Sequence, residues 1–131
     1  MKKLTLLIPI LLFANANDNF YYQNDKKVFL TPIVSSQKFR KINSIDINYY
    51  TTPNDNIVGV TKEFIIKLKD EKSLEILLKK YPITLKKRLA SNLYLMEVNT
   101  IDKTIDMTQK LYLDTNVIYV HPNFIKKIKL R

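Results

Sequence analysis

Acid–base or nucleophilic chemistry needs a small set of side chains, and this 131-residue chain holds few of them. It has one histidine, His121, no cysteine and a single glycine, Gly59. A serine–histidine–acid triad would have to use His121 as its base, and no serine sits in a glycine-flanked sharp turn. A zinc site would need several ligands, and only carboxylates accompany the one histidine. A loop that cradles phosphate needs glycines that are absent. Asp102 and Asp106 stand at i, i+4 on a predicted helix, but paired catalytic carboxylates work in a cleft, whereas a helix face is solvated. The inventory assigns no catalytic residue, no metal and no cofactor. His121 reads as a strand-end residue.

The elements that would carry these residues are legible from periodicity. Glu63 to Lys69, "EFIIKLK", alternates, with Phe64, Ile66 and Leu68 on one face and Ile65 and Lys67 on the other. Asp70 is placed to cap a helix whose Leu74, Leu77, Leu78 and Tyr81 fall at helical spacing. Lys79 and Lys80 suit its negative end, and Pro82 stops it. Ile83–Leu89 and Leu93–Val98 read as strands joined by Ala90-Ser91-Asn92, with Ile83, Leu85 and Leu89 sharing a side. Asn99 is expected to cap a second helix, with Ile101, Ile105, Thr108, Leu111 and Tyr112 as its buried stripe. Val117–Val120 is the last strand. The order is β-α-β-β-α-β, the ferredoxin-like arrangement, over residues 62–121. The fold class is therefore α+β: a two-layer sandwich with one sheet face covered by helices and the other left to the extension or to a partner.

Residues 17–61 precede this unit as a β-rich extension. Lys27–Ile33 can extend, and Ile45–Thr51 and Ile57–Thr61 flank the turn sequence Pro53-Asn54-Asp55-Asn56. Asn17–Asp25 are expected to be disordered. Before them, Met1-Lys2-Lys3, the apolar run Leu4–Phe13 and the small residues Ala14 and Ala16 follow one another as a secretory signal does. Cleavage after Ala16, export to the periplasm or medium, and no stable membrane insertion afterwards are the expectations. Export also makes nucleic acid a poor partner, although the formal charge is +10. Single-stranded RNA binding on this fold would need exposed aromatics and usually a glycine-aromatic pattern on the third strand, and "NLYLMEV" has only Tyr94 and no glycine.

Residues 122–131 form an alternating apolar and basic tail. The opening strand "EFIIKLKD", the element order and the closing "VIYVHPNF" together resemble the propeptide of bacterial subtilisin-like serine proteases, from about Val58 to Arg131. Val117, Tyr119, Val120, Pro122, Asn123 and Phe124 match the family's ending of an apolar strand, an acid, Pro-Asn and an aromatic, with His121 in place of the acid. The family's catalytic motifs are absent from the sequence. The resemblance implies a non-catalytic folding assistant and inhibitor of a subtilisin-like protease, acting in trans or as the leader part of a split or truncated protease gene. Its sheet face, with Ile65 and Lys67, would pack on the protease. Its tail, with Phe124, Ile128, Lys129, Leu130 and Arg131, would lie in the substrate cleft, Arg131 in the primary pocket and Ile128 three residues upstream. The alternative is an exported binding or structural module with no protease partner.

Overall fold

The structure, a computed structural model, describes residues 19–33, 39–42 and 45–126. Among the described residues eleven strands and two α-helices follow in order: β1 Phe20–Gln23, β2 Lys26–Phe29, β3 Thr31–Pro32, β4 Phe39–Ile42, β5 Ile45–Thr51, β6 Ile57–Val60, β7 Glu63–Leu68, α1 Glu71–Lys80, β8 Thr84–Ala90, β9 Leu93–Glu97, α2 Thr104–Tyr112, β10 Val117–Pro122 and β11 Ile125–Lys126. A 3₁₀ turn, Ile101–Lys103, precedes α2. All strand pairings are antiparallel, and the class is α+β.

A four-stranded sheet runs β10-β7-β9-β8. Phe64, Ile66 and Leu68 of β7 are buried against Leu77 of α1, Met107 and Leu111 of α2, and Tyr94 and Met96 of β9. Leu74 and Leu78 pack at the edge of this cluster. The period-2 pattern of β7 thus meets the helical stripes on one face, and burial of that face drives the packing. Helix α1 begins where Asp70 Oδ1 accepts from the Ser73 amide at 3.0 Å and from Ser73 Oγ at 2.9 Å. The Tyr81 amide closes its last turn on the Leu77 carbonyl at 2.9 Å, just before Pro82.

Asp114 ties the helix ends together. It accepts from Tyr81 Oη at 2.8 Å, Lys80 Nζ at 3.0 Å and the Asn116 amide at 2.9 Å. Burial pushes its pKa up, but the Asn116, Lys80 and Tyr81 donors together outweigh burial and hold the carboxyl down at about 2.

A second sheet runs β11-β6-β5-β3, with β4 on the same edge of β5 as β3. It joins the first through a bent ribbon. Strands β6 and β7 follow one another and pair with β11 and β10 respectively. Between the two registers the β6–β7 side has two more residues than the β10–β11 side, Thr61 and Lys62 falling in the bend. Such an insertion bends a ribbon. The corner is pinned by Thr104, fully buried, whose Oγ1 donates to the Thr61 carbonyl at 2.6 Å.

The structure departs from the sequence expectations at four places. Residues 20–25 are not disordered: they belong to the β1–β2 hairpin, whose turn residues Asn24 and Asp25 take positive φ, which these residue types tolerate. The hairpin packs on α2 and β10, where Tyr22 stacks on Tyr112 at 3.8 Å and Gln109 Nε2 donates to the Phe20 carbonyl at 3.0 Å. Asn99 does not cap the second helix. The chain tightens into the 3₁₀ turn after Thr100, and α2 starts at Thr104 without a side-chain cap. Ile105 does not cover the four-stranded sheet: it packs with Leu30, Val58 and Val60 of the extension. Leu85 and Leu89 stay about 40% exposed, because β8 is an edge strand of the sheet and is exposed along its whole length, while Ile83 is buried just before that strand.

Candidate functional site

The face of the four-stranded sheet opposite the helices is built by register. His121, Ile65, Leu95 and Lys87 lie in one row, and Tyr119, Lys67, Leu93 and Ala90 in the next. Ile65, Leu93 and Leu95 make an apolar centre that is half-buried, not sealed. Their sequence neighbours Phe64, Tyr94 and Met96 are the residues the helices cover. At one edge Tyr119, 41% exposed, stacks on the His121 ring with centroids 5.8 Å apart and planes 7° apart. His121 Nδ1 lies 3.0 Å from the Pro122 carbonyl oxygen. Lys67 Nζ donates to the Ser91 carbonyl at 3.1 Å, so its aliphatic stem lies along the face.

Polar groups close one end of this face. Lys86, in the register shift of β8, reaches Glu63 Oε2 at 2.7 Å and Glu97 Oε2 at 3.8 Å. Asn123 Nδ2 donates to Glu63 Oε1 at 3.2 Å. The Lys86 hydrogen bond, opposed by partial burial and helped by Asn123, holds the Glu63 carboxyl below its ordinary range. The same contact raises Lys86. Beyond this end, in the bend between the sheets, lies a cleft of about 590 Å³ lined by Asp46, Glu63, Lys86, Glu97, Asp102 and Ile125, among others. Among the described residues no three His, Asp or Glu side chains gather as a metal site. No helix among them is long and apolar enough to cross a membrane.

Of the residues singled out from sequence, Ile65 and Lys67 share the open face. Phe124 is placed elsewhere. Its ring meets Tyr21 edge-on, with centroids 4.9 Å apart, and packs against the cluster of Leu30, Val58, Val60 and Ile105. The tail from residue 122 is also not free at its start. Pro122 completes β10, and Ile125 and Lys126 pair with Gly59 and Val58. Ile128, Lys129, Leu130 and Arg131, and the signal residues Ala14 and Ala16, lie outside the described residues.

Sequence reasoning missed Leu93, Leu95 and Tyr119 as members of the face. The alternation of "LYLME" around buried Tyr94 and Met96 was the available signal. It also missed the tail's partner strand, which lies far away in the chain. Searches against protein-family models, curated proteins and solved structures match this chain to nothing.

Proposed function

We propose that this is an exported, non-catalytic domain that binds a subtilisin-like serine protease, assisting its folding and inhibiting it, whether supplied separately or as a leader. In this reading residues 62–121 are a ferredoxin-like unit. The order of elements and the β10-β7-β9-β8 sheet support that, as does the sequence resemblance of about Val58 to Arg131 to subtilase propeptides. One observation carries the functional reading: the helices take one sheet face, while the other offers half-exposed Ile65, Leu93 and Leu95 beside exposed Tyr119. An apolar sheet centre with a polar border suits a protein partner.

The test is titration of the signal-free protein against the subtilisin-like proteases of its own cell, followed with a chromogenic peptide. Saturable inhibition is expected for one of them, weakened when residues 127–131 are removed. No inhibition of any of them would refute the reading.

A second reading, an exported binding or structural module with no protease partner, is favoured by the seating of Phe124 and β11 within the fold. Inhibition that is indifferent to loss of residues 127–131 would leave the tail a structural end and move the weight to the sheet face alone.

A further inference from the structure

The one glycine of the chain is not in a turn. The positive-φ positions among the described residues are Asn24, Asp25, Asp55 and Asn92, and no glycine has positive φ. Gly59 instead lies buried in β6, between Tyr49 of β5 and Ile125 of β11. A methyl group placed on it would stand 2.7 Å from Ile47 Cγ2, 3.2 Å from Tyr49 Cε1 and 3.5 Å from Ile125 Cβ. Glycine is needed here for close approach of side chains, not for backbone freedom.

The tight contacts are with Ile47 and Tyr49 of β5, and Ile125 lies at ordinary contact distance, so the close approach sets β6 on β5, and β6 in turn carries the root of the tail. Strand β11 has two residues, paired to Gly59 and Val58. Its other supports are the Phe124–Tyr21 contact on one side and the continuous ribbon through β10 on the other. It ends the sheet order, so no second strand among the described residues flanks it. A strand of two residues has few ladder bonds of its own, so its register depends on how firmly its one neighbour is packed.

We infer that the N-terminal extension braces the root of the C-terminal tail, with Gly59 as the positioning residue: β6, set on β5 at Gly59, fixes Ile125 and Lys126 as a strand. This rests on the proposed function for its purpose, since an inhibitor tail gains from being held extended before it meets a cleft. It gives residues 45–60 a task that the sheet face alone does not need. The brace itself is structural and can be read without any protease.

The experiment is limited trypsin digestion of the signal-free protein, with cleavage after Lys126 and Lys127 timed by mass spectrometry against cleavage after Lys79 and Lys80 in α1. Gly59→Ala should speed the tail cleavages by about tenfold or more through overpacking, and leave the α1 cleavages unchanged. Ile47→Leu removes the Cγ2 methyl that the new side chain meets. Combined with Gly59→Ala, it should return tail cleavage toward the unmodified rate. Tail cleavage unchanged by Gly59→Ala would overturn the brace. So would equal acceleration at all sites, which would make Gly59 a determinant of the whole fold. A parallel inhibition assay with subtilisin as probe separates the two proposals. If the unmodified protein does not inhibit while the cleavage pattern holds, the brace stands and its purpose as an inhibitor device falls.

Discussion

The four-stranded sheet draws all its strands from one stretch, Glu63 to Pro122, and is backed by both helices. The second sheet gathers β3 to β6 from one part of the chain and β11 from another. Their interiors differ accordingly. Phe64, Ile66, Leu68, Leu77, Met96, Leu111 and Val120 are all but inaccessible in the first, whereas the second cluster rests on Leu30, Val58, Val60 and Ile105 with tyrosine and phenylalanine rings at its margin. A short-range fold with a full core can hold its shape while one face stays open. A long-range assembly with a thin core depends on single close contacts, such as the one at Gly59.

If that contrast is right, the most damaging substitution is in the first core. Ile66→Ala should cost about 2–5 kcal/mol, while Ile65→Ala, one residue away on the half-buried face, should cost clearly less. Thermal or urea unfolding of the pair checks this, and equal melts would remove the distinction between the two faces. The next effect belongs to Asp114. Asp114→Ala strands Tyr81 and the Asn116 amide and should cost about 1–3 kcal/mol.

The same residue predicts a pH dependence. Its folded pKa of about 2 lies below the ordinary 3.8, so its contribution is present above about pH 4 and is lost as pH falls toward 2. Urea midpoints between pH 5 and 2 should fall less in the Asp114→Asn variant than in the unmodified protein.

The smallest effect is expected in the extension. Tyr112→Phe keeps the ring stack on Tyr22 but removes the hydrogen bond to Asp25. It should leave the global melt unchanged and speed amide exchange in the β1–β2 hairpin alone. A falling melt would mean that the hairpin is part of the main core.

The same contrast explains what could be read from sequence. Strand β7, helix α1 with its Asp70 cap, and the β5–β6 hairpin around Pro53–Asn56 each announce themselves through local period and turn chemistry. The open face follows from the alternation of β7, which put Ile65 and Lys67 opposite Phe64 and Ile66. Ile105 failed this treatment because α2 has two buried sides, one toward each cluster, and a single helical stripe does not say which is which. The exposure of Leu85 and Leu89 was not legible, because it follows from the place of β8 at the edge of the sheet, which residue types do not mark. The tail's alternation of apolar and basic residues is visible in sequence. It could not name β6 as the partner of Ile125 and Lys126, since pairing between distant segments leaves no local mark.

The open face of the four-stranded sheet is proposed as a protease-docking surface. Ile65→Lys tests it most directly, because the side chain is half-buried at the centre of that face and lies apart from the helix-covered core. The measurement is the inhibition constant against the protease that the unmodified protein inhibits, beside a thermal melt of the variant. A constant at least about tenfold higher, or roughly 1.4 kcal/mol, is expected, with the cooperative melt retained. An unchanged constant in a folded Ile65→Lys variant would contradict it.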